Sequence, residues 1–173
     1  MRFDPEDAPL DTRYDRLASK ELGADHWRIL SPFGYKISEN EWITIPVGYL
    51  TDGASVPQIF WNMIPPWGVY GQAAVVHDIL CEYLAVVRDG VKVDITRARC
   101  DEILNEAMKV LGVPMAKRLM IYWAVCAYRL VSGVSQPSNT PKKRAMEANW
   151  QRGVGDVGGS ARAAFASDAG AKG

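Results

Sequence analysis

Short runs of apolar and aromatic residues, broken by turn residues, occupy the chain between about residues 26 and 51. The runs include HWRIL, EWITI and GYLT, and the breaks are SPFG, SEN and PVG. Grouped β-branched and aromatic residues between such breaks are typical of strands joined by turns. The pattern predicts four strands, near residues 26–31, 34–38, 42–46 and 48–51, in a small antiparallel β-sheet.

The apolar residues change from a period of two to a period of about 3.6 after residue 51, which indicates α-helix. Ser55 is predicted to cap a short helix over PQIFWNMI, because its hydroxyl can accept a free backbone amide. Three principal helices follow. They are predicted over residues 68–87, from a cap at Thr96 to a stop at Gly112, and from Pro114 to Gly133. RDGVKVD, after the first of them, has the composition of a turn or small hairpin.

These elements predict an α+β fold, with the sheet at about residues 26–51 followed by the three principal helices. Residues 1–25 are polar and contain two prolines, and they are predicted to form an extended N-terminal arm. Residues 134–173 are predicted to be a low-complexity C-terminal arm, because the last twenty are rich in Gly and Ala and cannot order themselves by burying a core. The core domain is then residues 26–133.

The overall composition narrows the class of protein only in part. The chain has 173 residues, 48% of them hydrophobic, with 20 basic residues against 20 acidic ones. This is typical of one globular domain, and it gives no electrostatic reason to expect nucleic-acid binding. The three cysteines lie at wide spacing in predicted helices, so they are expected to be free, buried thiols.

Two segments bear on the expected location of the protein. The N-terminus, MRFDPEDAPLDTRYDR, is acidic and has no apolar run, so it does not resemble a secretory signal. The longest apolar run, LMIYWAVCAYRLV, is interrupted by Arg129 and is too short to span a membrane. Synthesis in the cytoplasm and no membrane span are therefore expected.

Four polar residues stand within the most apolar part of the chain: Asp52 and Ser55 in TDGASVP, and His77 and Asp78 in AAVVHDIL. Adjacent residues of a helix point about 100° apart, so His77 and Asp78 are not automatically held by one ligand. Packing of the next helix could bring Asp101 close to either of them.

Several chemistries would use these residues. His77, Asp78, Asp52 and Asp101 are candidate ligands of a divalent metal such as zinc, manganese or iron, which makes such a metal the candidate cofactor. Ser55 with His77 and an aspartate could act as nucleophile, base and orienting group, and His77 with Asp52 could act as an acid and base pair. Alternatively, these side chains join the sheet to the helices through closed hydrogen bonds, or they bind a partner.

The remaining conspicuous residues have structural interpretations. Six aromatic residues, Trp61, Trp67, Tyr70, Tyr83, Tyr122 and Trp123, are expected in the core and at its rim. The basic run KKR at 142–144 is expected to be a solvated patch.

The order of several motifs resembles a known family. PFGY, ITIPVGYLTDGASVP, PPWGVYGQAAVVHDIL, an EAM helix and KRLMIYWAV are similar, over about residues 27–130, to the phage- and prophage-associated domain of unknown function 1353. The positions that match are Thr51, Asp52, Ala54, Ser55, Pro57, Trp61, His77, Asp78, Asp101 and Met108. The family often has Tyr where Cys81 stands here. The resemblance implies a bacteriophage setting and does not imply a mechanism.

Two functional hypotheses follow. In the first, the chain is a virion-associated protein of the tail, neck or ejection apparatus, made in the host cytoplasm. It would dock to other phage structural proteins through residues 1–25 and 134–173, as part of an oligomeric assembly. In the second, it is a small hydrolase, metal-dependent or using His77 as base, that acts on cell-wall or nucleotide-like substrates.

Overall fold

A computed structural model describes residues 1–6, 9–53 and 68–153 of the chain. Its strands are β1 (Arg2–Asp4), β2 (Thr12–Tyr14), β3 (Trp27–Ile29), β4 (Phe33–Lys36), β5 (Glu41–Ile45), β6 (Leu50–Thr51), β7 (Ala85–Arg88) and β8 (Val91–Asp94). Its helices are α1 (Arg16–Leu22), α2 (Gly71–Tyr83), α3 (Arg97–Val110), α4 (Met115–Ser132) and α5 (Pro141–Gly153). The α+β class is confirmed. The helix predicted over residues 57–64, its Ser55 cap, Trp61 and Trp67 lie outside the described residues.

The larger sheet is antiparallel, with strand order β1-β4-β5-β7-β8. Alternate residues of a strand point to opposite faces, and the alternation is visible in β4 and β5, where Tyr35, Ile43 and Ile45 are fully buried. Tyr35 pairs with Ile43 across the two strands. Their shared face forms the sheet side of the core, against which α2 and α3 pack.

The smaller sheet has the order β2-β3-β6. All four strands predicted between residues 26 and 51 are present, but they are divided between two sheets. After β5 the chain turns toward β3, where Gly48 N–H donates to Ile29 O at 2.8 Å and Ile29 N–H donates to Tyr49 O at 2.9 Å. These bonds fix β6 beside β3, so β6 does not extend the larger sheet.

Residues 1–25, which the sequence predicts to be an extended arm, contribute β1, β2 and α1. β1 joins the larger sheet because Phe3 is an apolar side chain that can be buried there, with its ring centroid 4.8 Å from that of Tyr35. α1 begins at a true cap, since Asp15 Oδ1 accepts the Ala18 N–H at 2.9 Å. This part of the chain therefore belongs to the folded body.

Helix α2 ends earlier than the sequence predicts. Leu84 adopts a left-handed conformation (φ 47°), and the chain continues as β7 instead of remaining helical to residue 87. Val86 and Val87 are β-branched, which favours a strand, and Val87 pairs with Trp42 of β5. The turn predicted after this segment is confirmed as the tight connection between β7 and β8.

The predicted limits of α3 and α4 are confirmed. Thr96 caps α3 by accepting the Arg99 N–H at 3.2 Å, and Gly133 closes α4 by donating to Arg129 O at 3.0 Å. The two helices pack against each other, and α3 also packs on α2. As expected, the three cysteines are free and buried. Within the described ranges, no helix has the length and hydropathy that crossing a membrane requires.

Part of the predicted C-terminal arm is the helix α5. Thr140 Oγ1 accepts the Lys143 N–H at 3.2 Å near its start, and Gln151 Nε2 donates to Val47 O at 3.0 Å near its end. The ring of Trp150 lies 5.2 Å from the guanidinium carbon of Arg28. Lys143 is buried, so the basic run at 142–144 is not simply a solvated patch. Residues 154–173 lie outside the described ranges.

The contact between α5 and the turn before β6 can be tested at Gly48. A Cβ at this position would lie 2.6 Å from Cε3 of Trp150, and the backbone has φ +86°. Gly48→Ala should cost about 1 to 2 kcal/mol for the left-handed conformation and a further 1 to 3 kcal/mol, roughly, for overpacking. Unfolding in urea, followed by circular dichroism, measures the loss.

Gly112→Ala is the matched control, because Gly112 has φ +72° and an added Cβ would meet no atom within 4 Å. It should show the conformational cost alone. Equal losses of stability in the two variants would contradict the docking of Trp150 against Gly48.

Candidate functional site

The predicted site residues are carried by three adjacent elements. Asp52 follows β6 and is exposed, His77 and Asp78 lie in α2, and Asp101 lies in α3. Ser55 lies outside the described residues. The angular offset between neighbouring residues of α2 turns His77 toward α3 and Asp78 toward β6. The structure therefore divides the predicted residues between two clusters.

The first cluster, called the His77 cluster here, consists of His77, Asp101, Arg129, Cys81 and Cys126. His77 Nε2 lies 2.9 Å from Asp101 Oδ1, and Arg129 Nε donates to Asp101 Oδ2 at 2.7 Å. The Asp101 side chain is only 4% exposed. One buried carboxylate thus joins α2, α3 and α4 through its two oxygens.

His77 and Asp101 each stabilise the charged form of the other. Burial alone would raise the pKa of Asp101, but the hydrogen bonds from His77 and Arg129 outweigh burial and lower it. Burial alone would lower the pKa of His77, but its contacts with Cys81 and Asp101 raise it. At neutral pH the charge that acts on His77 is the Asp101 carboxylate, so the two form a buried ion pair.

Cys81 does not complete a nucleophile and base arrangement with His77. Its Sγ lies 3.5 Å from His77 Nε2, the same nitrogen that Asp101 contacts. A relay needs the nucleophile and the carboxylate on different ring nitrogens. Contact with Cys100 and burial also raise the pKa of the Cys81 thiol, which keeps it protonated and weakly nucleophilic.

The second cluster, called the acidic cluster here, brings together the carboxyl groups of Asp52, Asp78, Glu82 and Glu147. Thr51 Oγ1 donates to Asp78 Oδ2 and itself accepts the Gly53 N–H at 3.1 Å. This chain of hydrogen bonds connects β6 and the start of the TDGAS segment to α2.

Helix α5 supplies the other half of the acidic cluster. Lys143 Nζ forms an ion pair with Glu82 Oε1 and lies 4.6 Å from the centre of the Tyr49 ring. Glu147 Oε1 accepts the Leu50 N–H at 3.0 Å. Because Lys143 and Glu147 are four residues apart, they lie on one face of α5 and are buried together.

Three carboxyl groups of the acidic cluster, those of Asp78, Glu82 and Glu147, have raised pKa values. Burial and the charge of Asp52 raise the pKa of Asp78 well above its ordinary value. Burial also raises the pKa of Glu82, and it raises the pKa of Glu147 to about 7 although Lys143 and the Leu50 amide act in the opposite direction. These shifts favour protonation, which would reduce the repulsion among the three buried carboxyl groups.

The four residues predicted as metal ligands do not form one set. His77 pairs with Asp101, whereas Asp78 lies near Asp52 on the other side of α2. Among residues 1–6, 9–53 and 68–153, no group of three or more His, Cys, Asp or Glu side chains is arranged to hold a metal ion.

Several residues of the two clusters are not among the predicted site residues. Glu82 is detectable from sequence, because it lies four residues after Asp78 on the same face of α2. Lys143 and Glu147 have the same spacing in α5, but they stand in a polar segment without an apolar stripe. Arg129 interrupts an apolar run, but nothing near it in the sequence indicates its partner. It meets Asp101 only through tertiary packing.

Comparison with known proteins shows to which family the chain is similar. Residues 27–125 match the family described as "Protein of unknown function (DUF1353)". A Sinorhizobium fredii protein described as "Uncharacterized protein y4jT" is 36% identical over 90 residues, covering 49% of this chain and 23% of that protein. The match thus spans about a quarter of that relative's length. No solved structure matches the chain. The family match contains Asp52, His77, Asp78 and Asp101, whereas Arg129 and α5 lie beyond it.

The raised pKa of Glu147 predicts a pH dependence of stability. A carboxyl whose pKa rises from 4.5 unfolded to about 7 folded binds its proton more tightly in the folded state. Its contribution is complete below pH 4.5 and is lost as the pH rises through about 7. Glu147→Gln keeps the acceptor for the Leu50 N–H but cannot titrate. The change in unfolding free energy between pH 5 and pH 8 should therefore shrink by about 2 kcal/mol.

Urea unfolding at the two pH values measures this difference between wild type and variant. Glu39→Gln, at an exposed turn, is the control and should leave the wild-type pH dependence unchanged. If Glu147→Gln retains the full wild-type dependence, Glu147 is not the source of it.

Proposed function

The chain belongs to the family described as protein of unknown function DUF1353, and we propose that it is a bacteriophage virion-associated accessory protein of the tail, neck or ejection apparatus. The observation that carries the proposal is that polar side chains of both clusters bond to partners within the chain. The phage setting rests on the resemblance carried by TDGASVP and AAVVHD.

Closure favours a structural role for these residues over a catalytic one. Both oxygens of Asp101 are engaged, by His77 and by Arg129, and Glu82 is paired with Lys143. Asp78 is bonded to Thr51. Such contacts join α2 to β6, α3, α4 and α5, which suits a rigid subunit that is built into a larger assembly.

One segment of the chain remains as the candidate for docking to neighbouring phage subunits. Residues 1–25 are one candidate from the sequence, but β1 and β2 are already paired within the two sheets. Residues 141–153 form α5 and contact α2 and β6. We therefore assign docking in the virion to residues 154–173, after synthesis of the chain in the host cytoplasm.

Particle incorporation tests this proposal. The full chain and a chain ending at Gly153 are expressed in host cells that produce the phage, and the particles are purified on a density gradient. The full chain should co-sediment with particles at constant stoichiometry, and the shortened chain should not. Both should have the same melting temperature, because the contacts of α5 with the body are retained. A full-length chain absent from purified particles would overturn the proposal.

A second candidate function is hydrolysis, and one observation favours it. Asp78 is buried with a raised pKa, and the exposed Asp52 lies close to it. Two carboxyl groups in such different environments can serve as proton donor and proton acceptor in one reaction. In this candidate Asp78 is the acid, Asp52 is the base, Ser55 is the nucleophile that the sequence predicts, and the substrate is cell wall or nucleotide-like.

Asp78→Asn tests the hydrolase candidate selectively. Asparagine has nearly the shape of a protonated aspartate and cannot donate a carboxyl proton, and the raised pKa of Asp78 favours the protonated form that asparagine mimics. Turnover of peptidoglycan and of a nitrophenyl phosphodiester, with and without Mn²⁺ or Zn²⁺, should fall about 100-fold or more at an unchanged melting temperature. Asp94→Asn, at an exposed position of β8, should keep wild-type turnover. Absence of turnover by the wild-type chain would eliminate this candidate.

A further inference from the structure

Helix α4 presents an uncharged face to solvent because its charged residues all turn toward the body of the protein. Lys117 Nζ lies 4.8 Å from the centre of the Tyr70 ring, and Arg129 bonds to Asp101. The Nε of Arg118 is buried. These are the charged residues of α4, which contains no acidic one. The opposite side of the helix consequently carries no charge.

That opposite side is a continuous apolar surface, called the α4 stripe here. Its members are Ala116, Leu119, Trp123, Ala127 and Leu130. At 100° per residue they fall within an arc of roughly 80°. Their spacing of three, four, four and three residues is that of a helix that packs against another helix.

The exposure of the α4 stripe is unusual for a folded chain. Trp123 is 65% exposed and Leu130 is 72% exposed, and beside them Val131 is 90% exposed. The sequence predicts Trp123 to be a core or rim aromatic, yet most of its surface faces solvent. Contiguous apolar surface of this kind is characteristic of a binding face, and Trp is the residue type most enriched where binding energy concentrates.

The order of residue sizes along the α4 stripe favours a second copy of the chain as its partner. In an antiparallel pair of α4 helices centred on Trp123, Ala116 lies opposite Leu130 and Leu119 lies opposite Ala127. Each alanine therefore meets a leucine of the other copy, which is the large-against-small matching that close helix packing requires. The same surface serves both copies, as it does in an interface with twofold symmetry.

Charge also favours a second copy. A charged partner would find no complementary group on the α4 stripe, whereas two copies meet there without repulsion. The formal net charge of the chain is zero, so long-range repulsion between copies is also small. We propose that the α4 stripe pairs with the α4 stripe of a second copy of this chain, antiparallel and about a twofold axis at Trp123. This inference does not depend on the role proposed in virions.

The expected affinity follows from the size of the surface. From residue 116 to residue 130 the helix extends about 21 Å. A pair of single helices of this length lies at the low end of specific interfaces, for which about 800 Å² per partner is standard. The dimer should therefore dissociate in the micromolar range, about 1 to 50 μM.

Sedimentation velocity of the full chain, from about 1 to 100 μM, tests the pairing. Wild type should pass from monomer to dimer over this range. Trp123→Glu should weaken the dimer about 30-fold or more, because it places two carboxylates at the twofold axis. Leu17→Glu is the matched control, since Leu17 of α1 is 64% exposed, and it should dimerise as wild type does. Circular dichroism melts confirm that both variants are folded.

A size exchange tests the antiparallel register directly. Ala127→Leu should weaken the dimer about tenfold, because it meets Leu119 of the other copy. The double variant Leu119→Ala with Ala127→Leu restores one large and one small residue at each contact and should recover most of the affinity.

Three results would overturn the proposal. They are a wild-type chain that stays monomeric at the highest concentration, a Trp123→Glu variant that dimerises normally, and a double variant no tighter than Ala127→Leu alone. A chain ending at Gly153 that dimerises where the full chain does not would assign the α4 stripe to residues 154–173. If the wild-type chain is monomeric and the Trp123→Glu variant is lost from particles, the α4 stripe binds another virion subunit.

Discussion

The burial of α2 is the constraint on which the rest of the structure depends. The helix carries His77, Asp78 and Glu82, and it lies inside the protein where little water reaches them. His77 points away from the face that Asp78 and Glu82 share, and the three are met by different parts of the fold: His77 by α3, Asp78 by β6 and Glu82 by α5. Since an unpaired buried charge costs on the order of 3 to 5 kcal/mol, these side chains determine which elements have to surround α2.

Local signals in the sequence account for much of the fold. Thr96 and Gly133 mark true helix ends, because capping depends on neighbouring residues alone. Helix α5 is different, since the face it buries contains Lys143 and Glu147. A search for apolar periodicity cannot detect such a face. The strand at Val86 and Val87 falls within the predicted helix, because a short apolar run is compatible with either a helix or a strand.

The candidate site shows the same division between local and distant information. Helix geometry alone separates His77 from Asp78 by about 100°, so their different orientations could be expected from sequence. The distant partners could not be expected from sequence. Arg129 meets Asp101, and Lys143 meets Glu82, only through the path that the chain takes in three dimensions. Sequence therefore identifies the buried polar groups of α2 and leaves most of their partners unidentified.

The distance along the chain between the partners of the acidic cluster has a consequence for biosynthesis. Glu82 pairs with a lysine 61 residues later, and the Leu50 amide with a carboxylate 97 residues later. At about 5 to 20 residues per second, the second interval lasts roughly 5 to 20 seconds on the ribosome. Within that interval α2, β7 and β8 are synthesised, and until it ends β6 and α2 lack the helix that contacts them. The nascent chain is then most open to proteases and chaperones, and the arrival of α5 ends that period.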